Sequence, residues 1–214
     1  ELLSPTLTFE NINKIYGASN FDLTATSNSS GDITYSVVSG GTGSVTLSGT
    51  NNQTVTITSA GTVTIKASLA ENVNYTSDTK DITLTVDKKE LTITGLSGVD
   101  KTYDGNTNAT TTGTPAISGV LGSDIVTLGG TPTYNFVSAN VDIGVVITTT
   151  GYAISGIHAG NYTLTATDES GCQFVGNTFA VSDDLAVEPS FMIFHRDATK
   201  ETTFDVNVKA YKQM

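Results

Sequence analysis

The sequence predicts an all-β chain of antiparallel β-sandwich domains in tandem, and three observations carry that expectation. Charged residues make up only 14% of the 214 residues, and Thr, Ser, Asn and 21 glycines fill the difference, a composition of strands and turns. Arg196 is the sole arginine, and no window repeats apolar residues at helical spacing for three turns, so almost no helix is expected. Short alternating runs recur with Gly, Asn and Ser punctuation every 8 to 12 residues or so, as in an antiparallel sandwich.

In chain order the first strands are expected in "DITYSVVS", "GSVTLSG", "QTVTITS", "GTVTIKAS" and "DITLTV". Within "TVTITSAGTVTIKAS", Val55, Ile57, Val63 and Ile65 can face inward while threonines face out, with Ser59-Ala60-Gly61 as a hairpin connection. After Lys88-Lys89, a short and therefore stiff linker, the runs "ELTITGL", "DIVTLGG", "PTYNFVS", "VVITTTG" and "NYTLTAT" supply a second set.

The two sets are copies. Lys14 and Tyr16 of "NKIYGASN" recur as Lys101 and Tyr103 of "DKTYDGNTN", and Asn74-Tyr75-Thr76 recurs as Asn161-Tyr162-Thr163, an offset of 87 in each case (14 to 101, 74 to 161). A period of that length is tandem domain duplication rather than a short solenoid repeat. The divisions that follow are 1–88, 89–167 and an atypical tail, 168–214. At the third copy's Lys-x-Tyr position the chain reads Glu188-Pro189-Ser190. The tail instead holds strand-like runs over 191–194 and 203–211, read as a final hairpin or partial third domain, or as a strand lent to a neighbouring subunit.

Several function classes are disfavoured. A net charge of -11 spread along the chain lacks the clustered Lys and Arg of nucleic-acid binding. Cys172 is the single cysteine, so neither an intrachain disulfide nor a multi-cysteine metal cluster can form. No run approaches the roughly 20 apolar residues of a membrane span, no signal peptide opens the chain, and the start at Glu1 reads as that of a mature or excised fragment. His158 and His195 fit no hydrolase spacing.

"KTYDGNTNATTTGTPAISGVLGSDIVTLGG" and "VSANVDIGVVITTTGYAISGIHAGNYTLT" closely resemble the YDG repeats of bacterial surface proteins, through Tyr103-Asp104-Gly105, the Gly122-x-Asp124-x-Val126 motif and Ala159-Gly160-Asn161-Tyr162-x-Leu164. The first unit resembles the Ig-like, glycine-rich repeats found beside them. Together the resemblance covers about residues 5 to 166. It implies a repetitive exported adhesin or stalk without catalytic role, part of a longer chain, located at the cell surface or secreted. The tail's "NYTLTATDESGCQFVGNTFAV" is similar, over a short stretch, to the closing motif of another adhesin repeat.

Within that frame Asp104-Gly105 reads as a turn, and Tyr103 and Tyr162, with Tyr16 and Tyr75 as their counterparts, as core plugs at opposite ends of each unit. Asp183-Asp184 is a candidate calcium pair at a domain junction. Lys14 with Asn74, and Lys101 with Asn161, are candidate isopeptide pairs, because such bonds in bacterial stalk domains join an early lysine to a late asparagine. No other cofactor is expected. The expected function is a non-enzymatic β-sandwich spacer. The alternatives are a glycan- or matrix-binding module and a filament subunit assembling through its terminal strand.

Overall fold

The structure, a computed structural model, describes residues 1–142, 144–165 and the short strand at 174–175. The Asp183-Asp184 pair and the expected hairpin over 191–211 lie outside the described residues. The described chain is strands and connections, with single 3-10 turns at Thr50–Asn52 and Ala159–Asn161 and no α-helix. Strands β1 to β9 are Leu7–Thr8, Ile12–Ile15, Phe21–Asp22, Thr26–Ser27, Ile33–Val38, Ser44–Ser48, Thr54–Ser59, Gly61–Leu69 and Asp78–Asp87. Strands β10 to β15 are Lys89–Gly98, Thr111–Ser118, Thr127–Phe136, Val146–Ser155, Tyr162–Thr165 and Phe174–Val175.

The first unit is built from the sheets β2-β9-β8-β5 and β3-β7-β6 with the short pair β1-β4. Alternation along β8 and β9 turns Val63, Ile65, Ala67, Ile82, Leu84 and Val86 inward, where they meet Val55 of β7, Leu23, Phe9 and Tyr35 in one cluster. Ile65, Leu84 and Val55 are fully buried, and each such side chain contributes about 1.5–3 kcal/mol by leaving water. The Tyr35 hydroxyl accepts the Ala25 N–H at 2.9 Å, so the aromatic is buried without stranding its polar end.

The inward-facing residues of "TVTITSAGTVTIKAS" follow the alternation, yet the expected hairpin does not form. β7 pairs with β6 and β3, whereas β8 pairs with β9 and β5, so Ala60 is a corner between two sheets. Gly61 has φ +128, and a Cβ there would meet the Gly43 nitrogen at 2.4 Å. Only glycine lets the chain turn this tightly against the neighbouring backbone.

The second unit has the sheets β11-β10-β14 and β12-β13-β15, with Ile93, Phe136, Val145 and Ile147 clustered between Leu96, Tyr134, Tyr152 and Leu164. "DIVTLGG" and "PTYNFVS" run together as β12, with a register shift between Gly130 and Thr133 where Pro132 withdraws a donor. β11 was not anticipated from the sequence. It carries Pro115, tolerated because β11 lies at a sheet edge.

Pairing is not wholly antiparallel. In each unit an early strand runs parallel to a late one, β2 to β9 with Lys14 opposite Val86 in the first and β10 to β14 with Leu91 opposite Leu164 in the second. These strands lie at opposite ends of their unit's sequence, so the intervening chain can carry the closing strand back to the same end before pairing. Apart from these strands, Tyr75 makes an isolated parallel bridge to Leu3, and its repeat counterpart Tyr162 opens β14 opposite Lys89.

Candidate functional site

β9 ends at Asp87 and β10 starts at Lys89, leaving one residue between the last strand of the first unit and the first strand of the second. Because β2 is parallel to β9, the loop after β2 lies at the end where the chain leaves the first unit, and the Tyr16 N–H donates to the Asp87 carbonyl at 2.8 Å. Because β14 is parallel to β10, Tyr162 lies at the end where the chain enters the second unit. The two loops therefore meet.

Their contact is a clasp of aromatic rings around one carboxylate. The Tyr16 and Tyr162 rings meet edge to face with centroids 5.5 Å apart, an arrangement worth about 0.5–1.5 kcal/mol beyond its buried area. Both hydroxyls donate to Asp124 Oδ2, Tyr16 at 2.9 Å and Tyr162 at 2.5 Å. The Tyr162 oxygen in turn accepts the Leu121 N–H at 3.1 Å. A second strap forms where the Ala60 N–H donates to Asn161 Oδ1 at 2.9 Å. Hydrogen bonds to an ionised acceptor are among the stronger ones, and Asp124 is only 16% exposed.

Local sequence sets each part. Leu121-Gly122-Ser123-Asp124 is a turn closed by the Asp124 N–H to the Leu121 carbonyl, with Gly122 at φ +48. The 3-10 turn at Ala159–Asn161 buries Asn161 beside Tyr162. His158 Nδ1 accepts the Ile125 N–H at 2.8 Å. That nitrogen therefore carries no proton to offer Asp124 Oδ1, 3.7 Å away. His158 holds the loop in place and lies partly exposed.

Burial first, and then the bond to Asp124, push the Tyr162 hydroxyl up to about 12. The same causes raise Tyr16. A raised tyrosine favours the neutral, donating form in the folded state, so its stabilisation is complete below pH about 10 and is lost as pH climbs through about 12. Alkaline titration followed by tyrosinate absorbance together with inter-unit amide exchange is expected to open the clasp in that window. Opening near neutral pH would contradict the assignment.

At the far end of the second unit, past β10, the Tyr103-Asp104-Gly105 turn takes another form. Lys101 Nζ sits in a cradle of oxygens, with Asp104 Oδ1 at 2.8 Å, the Asn108 carbonyl at 2.9 Å and Asn106 Oδ1 at 2.5 Å. Asn106 donates to both oxygens of Asp104, through its backbone and its side chain. The Lys101 bond is the largest cause holding the Asp104 carboxyl below its usual range. Gly105 takes φ +77 as the turn requires. Asp104 is thus a turn residue whose counter-ion is supplied by the chain itself. Replacing Lys101 with methionine is expected to speed amide exchange at Asn106 and Asn108 and leave the thermal midpoint unchanged; unaltered exchange would show that the lysine does not organise the turn.

The anticipated residues separate accordingly. Tyr162 is buried as expected, and Tyr16 is partly buried against the first cluster. Tyr75 is half-buried. Tyr103 is 46% exposed and is no core plug, because its loop folds around Lys101 rather than back over the sheet. The isopeptide pairs are not brought together. Lys14 stacks its ammonium over Phe21 at 4.7 Å, while Asn74 lies at the opposite end of the unit, beside Leu3. Lys101 is separated from Asn161 by the length of β10, roughly 30 Å at strand rise. Among the described residues no three His, Cys, Asp or Glu side chains converge as a metal site, and no helix is long and apolar enough to cross a membrane. Asp124, Leu121 and the Asn161 strap escaped sequence reasoning.

A family model described as the YDG domain matches residues 87–170, which takes in the second unit from the joint onward. No curated protein matches the chain.

Proposed function

We propose that residues 1–165 are a non-enzymatic spacer of a bacterial cell-surface or secreted protein, two Ig-like sandwich units held as one stiff rod. The observation that carries this reading is the joint. A one-residue connection, a tyrosine pair sharing Asp124 in which Tyr162 is buried and Tyr16 partly so, and the Asn161 strap restrict both bending and twisting between units. A flexible tether needs none of these, and a Gly/Ser-rich linker would be the simpler sequence for it. The match of 87–170 to a YDG domain is consistent with a repeated exported module. Cross-strand hydrogen bonds and two separate cores would then resist extension.

A recognition role at the opposite end has one observation in its favour, the exposed Tyr103 on a turn already organised by Lys101. Its Asn and Asp acceptors are engaged with that lysine, which leaves little polar capacity for a glycan. A glycan and matrix-protein binding screen on the purified chain, run with calcium and with chelator, separates the two. The spacer reading expects no saturable binding. A calcium-sensitive hit lost on Tyr103→Ala would replace it with a recognition module.

A further inference from the structure

Lys14 and Lys101 hold the same repeat position but meet different surroundings. The loop after Lys14 continues Gly17-Ala18-Ser19, without a carboxylate or carboxamide, and its ammonium rests over the Phe21 ring. Lys101 Nζ instead reaches Asp104 Oδ1, Asn106 Oδ1 and the Asn108 carbonyl, with the Asn106 carbonyl a fourth oxygen at 3.3 Å. An ammonium has three protons to donate, so four oxygens are more than its hydrogen bonds require. The arrangement is that of a cation enclosed by oxygens.

Bonds that do not involve the lysine aim these oxygens inward. Asp104 Oδ1 accepts the Asn106 N–H at 3.1 Å, and Asn106 Oδ1 accepts the Asn108 N–H at 2.9 Å. The Asn106 carboxamide donates to Asp104 Oδ2 at 2.6 Å, which turns its own oxygen toward Nζ. The contributing residues are the first, third and fifth of Asp104-Gly105-Asn106-Thr107-Asn108, the spacing at which calcium loops present their opening ligands. A carboxylate, a carboxamide oxygen and two backbone carbonyls are all ligand types that calcium accepts. Asp104 is 46% exposed, so water can reach the open side and complete a coordination shell.

We infer that the Asp104–Asn108 loop is a calcium-type seat whose resident cation is the Lys101 ammonium, a tethered plug that keeps divalent ions out. The tether favours the plug, because an ammonium three residues from Asp104 needs no recruitment from solution. A calcium ion entering the intact loop would also leave the displaced ammonium beside it, with a single carboxylate to offset both charges. The turn next to the exposed Tyr103 is therefore ordered without metal. Neutralising Lys101, by substitution or by acylation, vacates the seat and makes that order depend on calcium.

Hydrogen exchange at the Asn106 and Asn108 amides of the full chain tests it, with calcium chloride or magnesium chloride titrated to the millimolar levels at which extracellular calcium modules bind. Wild-type exchange is expected to be slow and indifferent to both salts. Lys101→Met should exchange faster and be slowed severalfold, saturably, by calcium. Magnesium should not replace it, since that ion demands near-ideal octahedral geometry and gives up its waters reluctantly. Lys101→Met with Asp104→Asn should stay fast in either salt. Lys101→Ala repeats the titration so that a methionine stem lodged over the loop does not mask the seat. Fast exchange in both lysine variants at every calcium concentration overturns the seat and leaves a lysine-bonded turn alone. A saturable calcium response in the wild type overturns the plug, and a response that survives Asp104→Asn shows that calcium is held by other residues.

Discussion

Replacing Tyr162 with alanine is expected to destabilise the second unit by about 3–5 kcal/mol, the range for deleting a buried aromatic, and to disconnect the units in the same step. Tyr162 is 2% exposed. Its ring packs on Tyr16, its hydroxyl donates to Asp124 and accepts from Leu121, and its backbone opens β14. Tyr162→Phe isolates the hydroxyl. It keeps the ring but leaves the Leu121 N–H without its acceptor and removes one of two donors to Asp124, for about 1–3 kcal/mol. Urea denaturation of the three proteins checks the order wild type, Phe, Ala. Equal midpoints for Phe and wild type would mean that the hydroxyl network contributes nothing and that the clasp is held by ring packing alone.

The second large effect is expected in the core of the same unit. Ile93 and Ile147 are fully buried in a cluster with Phe136 and Val145, whereas the first unit gathers twelve buried residues around Val63, Ile65 and Leu84. Ile93→Ala and Ile65→Ala should each cost about 2–5 kcal/mol, but the same loss is a larger share of the smaller core. Amide exchange in urea should therefore show β10 to β14 of Ile93→Ala opening well before β5 to β9, with the reverse ordering muted in Ile65→Ala. If both substitutions lower the two units together, the chain unfolds as a single cooperative body, and the clasp couples stability as well as orientation.

Much of the strand pattern was legible because alternation is local. Val63, Ile65, Ile82 and Leu84 face the core where period-two reading puts them, and the repeated tyrosines Tyr75 and Tyr162 each make a parallel bridge to an early residue of their unit. The misreadings share one cause, which is that pairing is decided by partners distant in the chain. Ser59-Ala60-Gly61 has the composition of a hairpin, but Gly61 lies against Gly43, and the corner sends β7 and β8 to different sheets. In β11, Thr111 to Ser118 shows no alternation, since an edge strand with Pro115 is mostly exposed. Asp124 looked like one acidic residue of a motif. Its role depends on Tyr16, 108 positions away, and no spacing rule reaches that far. Tyr103 and Tyr16 are the same letter in the same repeat position. Only the structure separates the one that meets a neighbouring unit from the one left in solvent.

Pulsed dipolar distance measurement across the joint addresses the central claim most directly. Spin labels at Val73→Cys in the first unit and Val137→Cys in the second, both at exposed positions, would be read in a Cys172→Ser background. A clasped pair predicts one narrow distance distribution that broadens when Asp124→Ala removes the acceptor shared by Tyr16 and Tyr162. A distribution already broad with Asp124 in place, and unchanged by its loss, would contradict the rod and make these two units beads on a flexible chain.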